Sequence, residues 1–296
     1  ATVDFKEDAR ISEDVIKQIS DMYRKIRNTF KFLLGNLVDG DLAKPFNPEK
    51  DHATKFEKLD IFNLGMLEYV KNKVIELYDK YAFNQALSYI NNYIVVFLSR
   101  MYLDYAKDIL YCEAKDSLRR RQVQTVFYEI TFTLMKLLTP ILPFTMEEVN
   151  NNLPFHSKSN PNLYDFPKHT EVFAKDTSAY DLVEKVSQTV GIEMYQKLEE
   201  LRKKGEIGSN QEADVYLTID GDVYDFLKEI EPNELARIFI VSNVYLKKGA
   251  KDVKVSKAKG TKCPRCWNYR EELIDLGDGT KVCKRCYEVL KNGAKN

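Results

Sequence analysis

Apolar residues recur at three- and four-residue spacing through the first half of the chain, and part of the second half alternates instead. The spacing predicts a helix over about 12–34. Ser12 is the N-cap, Glu13 and Asp14 face the positive end of the helix dipole, and Val15, Ile19, Met22, Ile26, Phe30 and Leu33 form one apolar stripe. Asp39-Gly40, Pro45 and Pro48 then predict a loop over 39–58. A second helix is expected over about 60–79, with Phe62, Met66, Tyr69, Val70, Val74 and Leu77 turned inward. The third, about 84–108, is apolar on more than one side: Leu87, Ile90, Ile94, Phe97, Leu98, Met101 and Tyr105. The fourth, about 116–138, carries Val123, Val126, Phe127, Ile130, Leu134, Leu137 and Leu138, and Pro140 and Pro143 end it. Long helices with complementary apolar faces imply an antiparallel bundle.

The pattern changes after residue 154. Pro154, Pro161 and Pro167 mark an irregular strap that contains His156 and His169, both read as loop histidines. A helix is expected over 179–204, with Leu182, Val186, Val190, Met194, Leu198 and Leu201 inside. Val215–Ile219 alternates as a strand. Residues 222–230 and 232–237 read as short helices, and 238–241, 244–246 and 253–255 as strands. The expected fold class is mainly α with a smaller α+β part. The expected domains are a helical bundle over 1–155, a strap and small α/β connector module over 156–258, and a separate tail module over 259–296.

With 45 basic and 45 acidic residues the chain has no global charge bias. The charge is uneven, however. From residue 247 to the end, fourteen Lys and Arg face six Asp and Glu, an excess of eight positive charges. Basic charge gathered locally is the footprint of a phosphate-rich partner. No apolar run approaches the ~20 residues that span a bilayer, and no leader opens the sequence, so a soluble cytoplasmic protein is expected. The start at Ala1 rather than at a Met suggests an excised fragment, although removal of an initiator Met would leave the same trace.

The sharpest local signal is Cys263-Pro264-Arg265-Cys266-Trp267 followed by Cys283-Lys284-Arg285-Cys286. Two Cys-x-x-Cys knuckles at this separation suit one tetrahedral Zn²⁺, with Cys263, Cys266, Cys283 and Cys286 as ligands. Two disulfides or a redox pair are the alternative uses of such a pattern. The residues between the knuckles can fold back as a hairpin, reversing at Gly277-Asp278-Gly279. Four thiolates leave no open position, so the metal is expected to be structural. Cys112 remains as a packed thiol. No Gly-rich phosphate loop, nucleophile elbow or paired metal carboxylates occur in the sequence. The residues therefore read as a binding fragment. Arg24, Arg27 and Lys31 share one face of the first helix, as a solvated face or as an edge that tracks phosphates.

Several stretches carry a family resemblance: Tyr23-Arg24-Lys25-Ile26-Arg27-Asn28-Thr29-Phe30, Leu98-Ser99-Arg100-Met101-Tyr102-Leu103-Asp104, Leu142-Pro143-Phe144-Thr145-Met146-Glu147-Glu148 and Cys263-Pro264-Arg265-Cys266-Trp267-Asn268-Tyr269. In this order they resemble the anticodon-binding bundle and zinc tail of the bacterial isoleucyl-tRNA synthetases, class I enzymes. The resemblance implies a parent that ligates isoleucine to its tRNA using ATP and Mg²⁺ in a separate catalytic domain, with an editing domain in cis. It implies that this stretch keeps the tRNA grip without catalysis, as a monomer. It points to Arg24, Arg27, Lys31, Arg265, Trp267, Lys284 and Arg285 as tRNA contacts. Arg27 could instead pair with a carboxylate inside the bundle, and Trp267 could stack on a base or cover the zinc loop. The competing reading is a stand-alone zinc-ribbon module for RNA or protein, without ligase parentage.

Overall fold

The computed structural model describes residues 1–3, 5–6, 8, 11–38, 56–154, 157–169 and 185–293. The loop expected over 39–58, the start of the helix expected over 179–204 with Leu182, and His156 fall mostly or wholly outside the described residues. By its internal packing the chain divides into two compact units, residues 1–103 with 115–177, and residues 104–114 with 178–296.

The first unit is helical. Helix α1 (Glu13–Gly35) opens where the Ser12 hydroxyl accepts the Val15 amide, so the predicted cap is made. Helix α2 (Lys58–Asp79) opens with a reciprocal capping box between Glu57 and Asp60. Helix α3 (Phe83–Asn92) and a π-helical run over Tyr93–Tyr102 follow without a break, and the chain continues as α4 (Leu103–Cys112), which from residue 104 belongs to the second unit. Helices α5 (Leu118–Leu138) and α6 (Pro143–Asn152) complete the set. Ile26, Phe30, Val70, Val74, Ile90, Ile94, Val126, Phe127, Ile130 and Leu134 are buried, as the helical spacing predicts. Ile19 and Tyr69 are not: Ile19 is 36% exposed near the start of α1, and Tyr69 is 57% exposed. The stripe through Met66, Val70, Val74 and Leu77 is already complete, and Tyr69 lies about 100° to one side of it.

One buried ionic cluster locks this unit. Asp60 is fully buried and accepts Arg119 Nη1 at 2.6 Å and the Tyr102 hydroxyl at 2.6 Å. It thereby joins α2 to α5 and to the π-helical run. In the strap, His169 Nδ1 lies 2.7 Å from Glu68 Oε1, a buried carboxylate that also pairs with Lys71.

The second unit is mixed. A π-helical turn (Ser187–Gly191) leads into α7 (Ile192–Lys203). Strand β1 (Ala213–Ile219), helices α8 (Gly221–Leu227) and α9 (Pro232–Phe239), and strands β2 (Asn243–Lys248) and β3 (Asp252–Lys257) follow. The sheet order is β2-β1-β3, with β1 parallel to β2 and antiparallel to β3. The parallel pair needs a crossover, which α8 and α9 supply. Val215, Leu217, Ile219, Val244 and Val253 share the core with Met194, Leu198 and Phe239. The strand expected over 238–241 does not form. Helix α9 runs to Phe239, Ile240 turns left-handed at φ 58°, and Val241 N–H donates to Ala236 O at 2.9 Å. Its β-branched residues suggested a strand, but Leu235, Ala236 and Phe239 form a helical apolar face, and that face is what is buried.

The tail has four two-residue strands, β4 (Thr261–Lys262), β5 (Tyr269–Arg270), β6 (Ile274–Asp275) and β7 (Lys281–Val282), and ends in α10 (Lys284–Gly293). Strand β4 pairs with β5 and β6 with β7, both antiparallel. The result is the expected class: mainly helical, with small sheets and a four-cysteine tail. Among the described residues no helix is long and apolar enough to cross a membrane.

Candidate metal centre and nucleic-acid interface

The first knuckle is a backbone turn. Trp267 N–H donates to Cys263 O at 2.8 Å, and Cys263 N–H donates to Asn268 O at 2.9 Å. Gly260 makes the approach to β5 possible, since a Cβ there would lie 2.2 Å from Arg270 O. The loop between the knuckles reverses at Gly277–Gly279 as predicted. Asp275 Oδ1 accepts the Gly277 amide at 2.7 Å, and Leu276 N–H donates to Thr280 O at 2.9 Å. The second knuckle runs straight into α10, so Cys286 sits in its first turn. That helix is not among the expected elements; beyond Cys286 its apolar positions are Tyr287, Val289 and Leu290 alone, too few to set a helical period.

These turns bring Cys263, Cys266, Cys283 and Cys286 together, all buried, with their sulfurs within 4.8 Å of one another. Sulfurs bound tetrahedrally at about 2.3 Å to one ion lie ~3.8 Å apart. Cys266 Sγ and Cys283 Sγ are 3.7 Å apart. The donor set therefore fits zinc. Without a cation such crowding favours protons: the hydrogen bond with Cys283 helps push the Cys266 thiol up to about 11. A hydrogen bond with Cys112 is the foremost cause that raises Cys286. Cys112, the predicted packed thiol, is buried in the same cluster.

The two arginines of the knuckles turn toward the residue 104–114 segment. Arg265 Nη1 donates to Cys112 O at 2.6 Å, satisfying a carbonyl at the C-terminus of α4. Arg285 donates through Nη1 and Nη2 to Asp108 at 2.6 and 2.7 Å. Arg237 of α9 donates through Nε to the same carboxylate at 2.8 Å, and also pairs with Glu113 and Glu234. Burial alone would raise the Asp108 carboxyl, but Arg285 and then Arg237 outweigh it and hold the group below its usual range. Neither composition nor spacing points to this network, because its members come from α4, the residue that follows it (Glu113), α9 and α10.

Trp267 is 58% exposed in a left-handed backbone conformation, φ 66°. Lys262 Nζ lies 5.3 Å from its ring centroid, within cation–π reach. Lys284 is exposed. In the first unit Arg24 and Lys31 are exposed on α1. Arg24 Nη1 is 3.6 Å from Asp21 Oδ1. Arg27 Nη2 meets Glu148 Oε1 of α6 at 3.3 Å, with both side chains about half exposed. The pair is a surface contact, not a buried one.

Comparison with known families decides the lineage. Residues 63–217, just over half the chain, match the anticodon-binding domain of tRNA ligases. The chain belongs to this family. Residues 260–289 match a zinc finger found in FPG and IleRS. The chain is 37% identical over 305 residues to an isoleucine–tRNA ligase of Staphylococcus epidermidis, covering 98% of this chain and 32% of that protein. An isoleucine–tRNA ligase of Caldicellulosiruptor saccharolyticus is 36% identical over 297 residues, covering 98% and 31%. One of Thermotoga maritima is 37% identical over 306 residues, covering 100% and 32%. The chain thus spans about a third of the length of the curated relatives it matches. Together the four-cysteine cluster and the zinc-finger match suggest a zinc site.

Proposed function

We propose that this chain is the tRNA-gripping part of an isoleucine–tRNA ligase, with one structural Zn²⁺ held by Cys263, Cys266, Cys283 and Cys286. The match of residues 63–217 to an anticodon-binding domain carries the reading. The parent's catalytic domain, with ATP and Mg²⁺, and its editing domain lie outside this stretch, and the chain by itself is catalytically silent. It acts as a monomer in the cytoplasm. Zinc here supplies no chemistry to the ligation; it fixes the knuckle that presents Trp267. Arg24, Arg27, Lys31 and Lys284 are exposed cations suited to phosphates of isoleucine tRNA. Arg265 and Arg285 act mainly as positioning residues, because their guanidinium groups already hold Cys112 O and Asp108. Titration with isoleucine tRNA, and with the same tRNA carrying a swapped anticodon, tests the reading at two salt concentrations. The expected result is salt-dependent binding that favours the cognate anticodon. Absence of salt-dependent binding would return the chain to the class of interaction modules. Isoleucine-dependent ATP–pyrophosphate exchange above background would end the claim of catalytic silence.

A further inference from the structure

A tetrahedral zinc site takes four thiolates, yet five cysteines meet in the second unit. Cys112, the last residue of α4, is 3% exposed and packs in one cluster with Cys263, Cys266, Cys283 and Cys286. Of the five, Cys112 alone lies outside the ligand set, and its place is fixed twice. Its Sγ donates to Arg265 O at 3.7 Å, and Arg265 Nη1 donates back to Cys112 O at 2.6 Å. Arg265, inside the first knuckle, thus grips both the side chain and the backbone of Cys112.

The nearest ligand is Cys286. Its Sγ lies at hydrogen-bonding distance of Cys112 and of Cys266. Cys112 and Cys266 in turn line a cleft of about 530 Å³ within the second unit. The sulfurs are buried from bulk water, but a small uncharged oxidant that enters the cleft meets two of them, and both border Cys286.

Thiol chemistry says what a fifth sulfur does there. A metal-bound thiol is deprotonated outright, and the thiolate is the nucleophile that reacts with peroxide. The resulting sulfenic acid has two fates. It condenses with a neighbouring thiol to a disulfide, or it is oxidised onward to a sulfinic acid that thiols do not reduce. A thiol within reach decides between them. Cys263, Cys266 and Cys283 serve the ion, whereas Cys112 is uncommitted and borders Cys286.

We propose that Cys112 is a resolving thiol for the metal centre: hydrogen peroxide oxidises Cys286, and Cys112 captures it as a reversible Cys112–Cys286 disulfide. The inference rests on the zinc reading above. The Cys286 thiolate attacks one peroxide oxygen; an S–O bond forms, the O–O bond breaks and hydroxide leaves. The Cys112 sulfur then attacks the Cys286 sulfenic sulfur; the S–S bond forms, the S–O bond breaks, and the Cys112 proton leaves with the hydroxyl as water. Two electrons pass from the thiol pair to the peroxide. The ion keeps Cys263, Cys266 and Cys283 and is held less tightly, and reduction of the disulfide restores the fourth ligand.

The experiment starts from protein whose zinc content has been measured. Hydrogen peroxide is added with a chromophoric chelator present, so that metal release is read directly. Free thiols are then alkylated and the chain is cut with trypsin. Cleavage after Arg265, Lys284 and Arg285 places the five cysteines on separate peptides, so mass spectrometry identifies each cross-link. The expected product joins Cys112 to Cys286, and dithiothreitol followed by added zinc should return the protein to its starting metal content. Cys112→Ser should release zinc under peroxide as the parent does but recover little of it, with sulfinic acid on Cys286. Cys112 is buried, so Cys112→Ala is tested beside it, and zinc content before oxidation serves as the fold control for both. Cys266 and Cys283, with sulfurs 3.7 Å apart, are the competing pair. A Cys266–Cys283 cross-link with Cys112 fully alkylated, or equal zinc recovery by parent and variants, would overturn the proposal and leave the zinc site standing. Absence of zinc before oxidation would remove the zinc reading and this inference with it.

Discussion

Arg285 places both terminal nitrogens on the Asp108 carboxylate, at 2.6 and 2.7 Å, joining the second zinc knuckle to the end of α4. The neighbouring Lys284 points to solvent. Two adjacent basic residues of one knuckle therefore do different work. Arg285→Ala strips Asp108 of its bidentate partner and leaves a buried carboxylate with Arg237 alone. Removing one partner of a buried pair costs about 3–5 kcal/mol, and partial exposure of Arg285 places this case near ~3 kcal/mol. Denaturant unfolding of the second unit should register that loss. Lys284→Ala should leave stability within ~0.5 kcal/mol and weaken RNA binding instead. Equal stability of the two variants would show that the bidentate pair contributes nothing.

The same pair sets a pH dependence. Asp108 has a carboxyl held below its unfolded value by Arg285 and Arg237 against the penalty of burial. A depressed carboxyl contributes stability that is fully present above the unfolded pKa of about 3.9 and is lost as pH falls through the folded one. Stability from this group should be flat from pH 7 to about 5 and fall below about 4. Asp108→Asn should flatten that acid limb in a series of denaturant melts. An unchanged limb would place the acid-sensitive group elsewhere.

Legibility differed along the chain for physical reasons. Helix faces in the first unit were readable because burial follows a local period, as with Ile26, Phe30 and Leu33. The four thiols were readable because metal geometry requires fixed short spacings. The strand expected over 238–241 failed because β-branched residues fit either a strand or the end of an amphipathic helix, and packing against the sheet chose the helix. The network of Asp108, Glu113, Arg237 and Arg285 was invisible because its members are far apart in sequence. Arg265 and Arg285 looked like phosphate contacts for the same reason: a basic side chain carries no mark in the sequence of the carbonyl or carboxylate it will meet.

Metal removal should act locally. The sulfurs of Cys263, Cys266, Cys283 and Cys286 pack within 4.8 Å, and the helices of the first unit have an apolar core of their own. Elemental analysis of protein purified without chelator should give one zinc per chain. Chelation, or Cys283→Ser, should free the tail around residues 260–293, because a structural zinc site contributes its binding energy to folding. Far-ultraviolet circular dichroism should retain most of its helical signal, while Trp267 emission shifts to the red as the knuckle opens. Collapse of the helical signal would show that the tail supports more of the fold than its packing suggests. Full retention of the Trp267 environment would show that the knuckle closes without metal.

Arg27 gives the sharpest separation of stability from binding. Its guanidinium meets Glu148 at 3.3 Å, and the two side chains are 48% and 61% exposed. Exposed pairs contribute about 0–1 kcal/mol, since water screens the attraction and long side chains lose freedom in holding it. Arg27→Ala should therefore leave the melting temperature nearly unchanged. An exposed cation that meets a phosphate acts differently, because each neutralised phosphate releases counterions. If Arg27 serves RNA, the variant should bind isoleucine tRNA more weakly, with a log–log salt slope shallower by roughly 0.7–0.9. The loss should be similar for cognate and swapped anticodons, as phosphate contacts position without specifying. Glu148→Gln discriminates further. Freeing Arg27 from its carboxylate should strengthen RNA binding if the two compete, whereas a purely structural pair predicts no change. A fall in melting temperature for Arg27→Ala with unaltered affinity and salt slope would assign Arg27 to the bundle and withdraw it from the tRNA surface.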